Sequence, residues 1–458
     1  MKKIFKNIAL DTMIFAVGNG SALLISFFMI PLYTSILSKA AFGMSDIINT
    51  TVSMLLPVIS LNVFTAVFRW GLDVEKDKTS LFSNGLFITS IGTAAAISVG
   101  IVSVVVRSKY IWAIAFVVSG LILVNFFQNF YRGVGKIKLY AASGVIGSVS
   151  SALLNVILMV VFKFGLLGYL LSMILSNYII VLFLIIFGNA VSYWDKKRLS
   201  KTEMLEMLRF SVPMIPNAFA WWMTNDICRV LILIFVGPSG NGLYAVANKL
   251  PSMMFTVFSL FQNAWQVSSV KVSKEGQAKE IYYLIFNSIL MFMIFISTII
   301  VAVIKVFMKY YVAPAYFQAW EFVPLLLLTA VFSNISVFLG TSYLVSKQTK
   351  GLLTTTIWGT GMNLMLGLLL IPVIGVQGAT ISGCVGFCIV SIMRLKDTKK
   401  WVKIKVEWSC CLLMMVGYIA ICVNEYICNG NIQVKITIIS IMACVIIIKL
   451  RSLKKRYF

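Results

Sequence analysis

Residues 165–188 read GLLGYLLSMILSNYIIVLFLIIFG, a stretch without one Asp, Glu, Lys or Arg. A helix needs about 20 apolar residues to cross the hydrocarbon core of a bilayer. The stretch is therefore read as a membrane span. The same requirement applied along the chain predicts fourteen spans: 9–32, 44–68, 80–105, 110–131, 139–162, 166–188, 211–236, 242–268, 281–304, 319–343, 351–372, 376–393, 408–427 and 432–448. Nothing is left over for a soluble domain, so the expected fold class is an all-α polytopic membrane protein. Composition agrees: 60% of the 458 residues are hydrophobic and 12% charged, against roughly 25% charged in soluble domains.

The chain has no histidine, which removes the commonest general base and metal ligand together. Only 15 Asp and Glu face 39 Lys and Arg, a formal charge of +24. The cations cluster in short segments between apolar runs, which marks topology rather than nucleic-acid binding. With the N-terminus in the cytoplasm, 30 of the 39 fall on the cytoplasmic side. Seven lie opposite (Lys39, Arg107, Lys109, Lys163, Lys305, Lys309, Lys435), and two, Arg229 and Lys249, fall within spans. Both termini are thus expected inside. The opening MKKIFKNIAL begins like a signal peptide but runs into a full-length span without a small-residue cleavage motif, so it is kept as span 1.

No external loop exceeds about fifteen residues on these boundaries, which disfavours a glycan polymerase or ligase working on the outer face. A multi-pass glycosyltransferase would need an acidic pair in a substantial loop. Asp73, Glu75 and Asp77 alternate with Lys76 and Lys78 and read as a solvated turn. The cysteines lie in or beside apolar segments without CxxC spacing and read as packing residues. No enzyme activity, cofactor or metal is expected.

An internal repeat gives the architecture. Laid over span 2 with an offset of 199, span 8 pairs Asn49 with Asn248, Ser53 with Ser252, Met54 with Met253 and Ser60 with Ser259, among seven identities in about twenty positions. GLLGYLLS at 165–172 recurs as GVQGATIS at 375–382, each after a span carrying an Asn (Asn155, Asn363). The Gly-x-x-Gly pattern lets two helices turn tightly. The expected domains are an N-lobe at 1–208, a C-lobe at 209–403, and two added helices with a basic tail at 404–458. An even number of crossings relates the lobes by an axis along the membrane normal, enclosing a central cavity.

Charge within a span costs about 2.5–3.5 kcal/mol per residue and marks function by default. Span 7 lies within SVPMIPNAFAWWMTNDICRVLILIFVG (211–237), where helical spacing places Ala218, Trp222, Asn225 and Arg229 on one stripe with Asp226 beside them. Arg229 is expected roughly 10 Å below the outer end and Asp226 roughly 15 Å, with Lys249, seven residues after Gly242, at about the same depth. In one account Asp226 and Arg229 neutralise each other while Lys249 snorkels outward. In the other, net positive charge facing a cavity attracts a phosphate or diphosphate headgroup. The second is expected, because a self-neutralising pair leaves Lys249 unexplained. Arg229, Lys249, Asp226, Asn225, Trp222, Asn49 and Asn248 are the candidate site. Amides within spans, Gln262 among them, read mostly as interhelical packing, though Gln262 and Trp265 could instead line a sugar cavity, and Pro31, Pro57, Pro213, Pro216 and Pro251 are candidate flexing points of spans 1, 2, 7 and 8.

The stretches FFMIPLYTSILSKAAFGMSDIINTTVSMLLP, VFRWGLD, FSVPMIPNAFAWWMTNDICRVLI, GLYAVANKLPSMMF and IPVIGVQGATIS together resemble the Wzx-type polysaccharide-unit flippases of the multidrug, oligosaccharidyl-lipid and polysaccharide (MOP) exporter superfamily. The resemblance spans nearly the whole chain. It implies movement of an undecaprenyl-diphosphate-linked oligosaccharide to the outer leaflet of a bacterial cytoplasmic membrane by alternating access, for capsule, O-antigen or exopolysaccharide assembly. It further implies Arg229 and Lys249 as diphosphate ligands and Asp226 as counterion or proton-coupling group. Membrane lipids surround a monomeric transport unit, and the implied pathway partners are a glycan polymerase and glycosyltransferases. The first lobe offers no matching intramembrane cation. Outward movement of a doubly charged headgroup gains roughly 4–5 kcal/mol at 100 mV, inside negative. The rivals within the superfamily are a drug or cation antiporter, which needs more buried acids than Asp226, and a lipid II flippase, which needs cations in the first spans.

Overall fold

The computed structural model describes residues 24–73, 75–274, 278–345, 350–400, 402, 404, 406–428 and 430–457, and every regular element among them is helical. Contacts divide the chain after Asp226 into two units. The first contains α1 (Leu24–Ile36), α2 (Lys39–Ile59), α3 (Val63–Gly71), α4 (Lys78–Val105), α5 (Ile111–Gly133), α6 (Ile137–Asn155), α7 (Gly165–Gly188), α8 (Lys201–Ser211) and the start of α9 (Ile215–Phe235). The second contains the rest of α9 and α10 (Pro238–Ala247), α11 (Lys249–Lys274), α12 (Ala278–Tyr311), α13 (Val323–Val345), α14 (Lys350–Ile374), α15 (Val376–Thr398), α16 (Trp408–Tyr426) and α17 (Ile432–Tyr457).

Twelve described helical stretches are long and apolar enough to cross a membrane. They coincide with expected spans 2–7 and 9–14. Span 1 lies largely outside the described residues, apart from the short α1. Span 8 differs from expectation: it breaks at Asn248 into α10 and α11, and Lys249, Gln262, Asn263 and Gln266 dilute its hydropathy. Span 2 also breaks. Pro57 lies in the last turn of α2, and Leu61 and Asn62 follow with φ of +50° and +52°, a left-handed pair that L-residues seldom adopt. The chain re-enters a helix as α3.

The repeated Gly-x-x-Gly hairpin takes one form in both units. Gly165 and Gly375 stand at φ of +54° and +62°, where a side chain is strained. The second glycines let backbones touch: a Cβ on Gly168 would lie 2.9 Å from the Leu158 carbonyl oxygen, and one on Gly378 2.6 Å from the Ile371 nitrogen. Neither neighbour can rotate away. Gly378→Ala is expected to destabilise the protein by about 1–3 kcal/mol through overpacking. Gly361→Ala, with nothing within 4 Å, is expected to stabilise its helix by roughly 0.5–1 kcal/mol. Thermal unfolding in detergent separates the two, and equal midpoints would refute the packing role.

In the first unit an aromatic cluster of Phe82, Phe126, Phe130 and Tyr131 joins α4 and α5, and Ile48, Val52, Val117, Ile122 and Leu170 form a second cluster. In the second unit α15 packs between α13 and α14, and α12 packs against α16. Large apolar side chains remain exposed along Val104–Val106, Val160–Phe162 and Leu368–Leu369. Such a surface suits contact with lipid.

Candidate substrate site

A 3-10 turn at Val212–Met214 leads into α9, and Pro216 occupies its first turn, where no intrahelical N–H is needed. Trp222 stacks on Phe219, ring centroids 5.7 Å apart, and its Nε1 donates to the Thr50 carbonyl at 3.0 Å. This bond brings the α9 stripe to α2 beside Asn49. Asn49 is half-buried, and its Nδ2 donates to the Ser45 carbonyl at 3.0 Å and the Tyr169 hydroxyl at 3.3 Å. Asn225 is exposed and its Nδ2 donates to the Trp221 carbonyl at 2.7 Å. Asp226 is half-buried and is the last residue of the first unit.

The two cations of the candidate site, Arg229 and Lys249, belong to the second unit. Arg229 is half-buried, six residues or about 9 Å along the axis from the α9 end at Phe235. Asn248 caps α10, its backbone N–H donating to the Tyr244 carbonyl at 2.9 Å, and half-buried Lys249 opens α11. Because α10 starts at Pro238 and not near Gly242, Lys249 lies about 16 Å from the helix start, deeper than its sequence position implied. One residue before Arg229, the buried Cys228 thiol donates to Asn363 Oδ1 at 3.3 Å and lies 3.7 Å from Ser382 Oγ. These contacts fix this part of α9 against α14 and α15.

Two expected cavity residues belong instead to the core. Trp265 is 3% exposed, packs against Tyr282 and Phe338, and donates to Thr341 Oγ1 at 3.1 Å. Buried Gln262 donates to the Val337 carbonyl at 3.2 Å. Both bonds tie α11 to α13.

Three charged clusters lay outside the sequence reading. Arg394, counted with the cytoplasmic loop charges, is buried within α15. Its guanidinium donates to Thr355 Oγ1 at 3.1 Å, Thr356 Oγ1 at 2.9 Å and the Ser336 carbonyl at 2.7 Å, clamping α13, α14 and α15. Glu425, fully buried at the end of α16, pairs with Lys435 of α17 at 2.5 Å, and Lys305 of α12 donates to its backbone carbonyl. Glu407, just before α16, pairs with Lys449 at 2.5 Å and accepts from the Tyr283 hydroxyl.

Burial pushes the Glu407 carboxyl up, but the bonds from Lys449 and Tyr283 outweigh it and hold the group below its ordinary value of 4.5. A depressed folded pKa contributes stability that is complete above the ordinary value and is lost as pH falls through the folded one. The unfolding temperature in detergent is expected to drop on acidification below pH about 4.5, and Glu407→Gln to flatten part of that drop. An unchanged profile would remove the pair from the acid response.

No protein-family model and no curated protein sequence matches the chain. Solved structures do. The all-helical fold is similar to that of solved transporters of the MOP superfamily. The lipid II flippase MurJ in an inward closed conformation superimposes with a TM-score of 0.67 at 13% identity, covering 96% of this chain and 99% of its own. A mutant of the Vibrio cholerae MATE transporter VcmN gives 0.60 at 12%, covering 87% and 97%. A MOP-superfamily transporter from Pyrococcus furiosus gives 0.58 at 14%, covering 85% and 95%. These similar structures are transporters and a flippase.

Proposed function

We propose that the chain is a flippase that carries a polyprenyl-diphosphate-linked oligosaccharide from the inner to the outer leaflet of a bacterial cytoplasmic membrane, by alternating access of two lobes. The observation that carries this reading is Arg229, half-buried within an apolar helix long enough to cross a membrane, with half-buried Lys249 opening α11, in a MOP-type fold. Cations at that depth are costly, and a diphosphate matches their charge. The MurJ likeness covers 96% of this chain and the VcmN likeness 87%, which favours a lipid-linked substrate over a small cation.

In this reading Arg229 and Lys249 receive the diphosphate, and Asp226 limits how tightly they hold it so that release follows. Trp222 and Asn49 present an aromatic face and an amide to sugar hydroxyls, with Asn225 and Asn248 nearby in sequence. Both termini lie in the cytoplasm, and a glycan polymerase takes up the product outside. Deleting the gene in its host is expected to abolish the surface glycan and to accumulate its lipid-linked precursor inside the cell. Unaltered surface glycan with no accumulation would refute the assignment.

A further inference from the structure

The second unit contains a cavity of about 470 Å³ that the cation site does not use. Its lining comes from the start of α10, the 3-10 turn Pro314–Phe322, the α14–α15 hairpin and the end of α16. These are all helix ends that the charge count assigns to the outer face. The polar lining is Ser239, Gln318, Glu321, Gln377 and Tyr426, over an apolar floor that includes Phe322. The volume lies within the range of small-ligand sites.

The polar groups are held in place by bonds that leave ligand-binding atoms over. The Tyr426 hydroxyl donates to the Glu321 backbone carbonyl, which leaves the Glu321 carboxylate for another partner. The Tyr426 ring packs on Trp320, centroids 4.9 Å apart, while Lys305 sits 4.4 Å from the centroid of that same Trp320 ring. The neighbouring Glu425–Lys435 pair fixes the end of α16. Gln377 Oε1 is buried with no hydrogen-bond partner. A buried carbonyl oxygen left unmatched costs about 1–3 kcal/mol.

We infer that this cavity is a saccharide subsite for a neutral or amino sugar. A carboxylate, two amides and two hydroxyls offer paired donors and acceptors to vicinal hydroxyls, the apolar floor suits a sugar's C–H face, and Glu321 repels an anionic ligand. The assignment of its natural ligand rests on the flippase reading: the subsite takes a sugar of the oligosaccharide as it reaches the outer side. A second contact remote from the diphosphate favours the outward-open complex over return.

The test is saturation-transfer NMR on the full chain in nanodiscs, with glucose, galactose, N-acetylglucosamine and galactosamine as free probes. Transfer to at least one of these is expected, weakened roughly tenfold or more in Glu321→Ala/Gln377→Leu. Ser239→Trp, which fills the cavity and removes one of its two hydroxyls, is expected to abolish it, and unfolding curves identify any variant that fails to fold. No transfer from any probe, or undiminished transfer in folded Ser239→Trp, overturns the subsite. Gene deletion separates the two claims: lost export with no sugar transfer sinks only the subsite, while sugar transfer with unaltered export sinks only the flippase reading.

Discussion

Replacing Arg229 or Lys249 by Ala is expected to cut surface glycan export by roughly tenfold to a hundredfold at matched protein levels. A hydrogen bond to a charged group contributes about 1.5–3 kcal/mol, and every 1.4 kcal/mol is a factor of ten. Both positions lie within helices of the second unit and are half-buried, so the substitutions leave the apolar packing largely intact. Arg229→Lys and Lys249→Arg keep the charge and are expected to retain part of the export, with Arg229→Lys the weaker of the two because it loses the planar fork that matches phosphate oxygens. Asp226→Asn is expected to slow release more than binding, through a tighter headgroup complex. Full export by the Arg229→Ala/Lys249→Ala double variant would remove these cations from the mechanism.

The second large effect is on stability. Lys435→Met leaves the fully buried Glu425 carboxylate without the ammonium that stands 2.5 Å away. Breaking a buried pair from one side costs about 3–5 kcal/mol, whereas replacing both partners with apolar groups is often neutral. Lys435→Met is therefore expected to lower the detergent unfolding midpoint sharply, and Glu425→Leu/Lys435→Met to recover most of it. A single variant no less stable than the double would show that the pair does not hold α16 to α17.

The helices were legible because membrane burial imposes a length, and spans 2–7 and 9–14 satisfy it without tertiary help. The Gly-x-x-Gly hairpins were legible because Gly165 and Gly375 adopt a backbone that other residues avoid, so the sequence marks the turn directly. The break at Leu61–Asn62 was not, since neither residue type announces a left-handed conformation, and Pro57 alone does not end a helix at its last turn. Arg394 was misplaced for a related reason. RLKDTKK reads as a solvated basic run, and only the oxygens of Ser336, Thr355 and Thr356, 38 to 58 positions earlier, make its burial tolerable. Trp265 and Gln262 looked suited to a cavity by residue type, but their partners on α13 draw them into the core. Of the candidate site, the sequence revealed which cations cannot be solvated by a loop. It could not reveal the depth of Lys249, which depends on where α10 begins.

Transbilayer movement in a purified system tests the central claim most directly. Proteoliposomes containing only this chain and a fluorescent polyprenyl-diphosphate disaccharide are to be probed with a membrane-impermeant quencher, with an inside-negative potential imposed. The account predicts that labelled lipid moves between leaflets far faster than in protein-free vesicles, and that Arg229→Ala/Lys249→Ala abolishes the difference. Movement no faster than in empty vesicles, from protein whose unfolding curve shows it intact, would contradict the account.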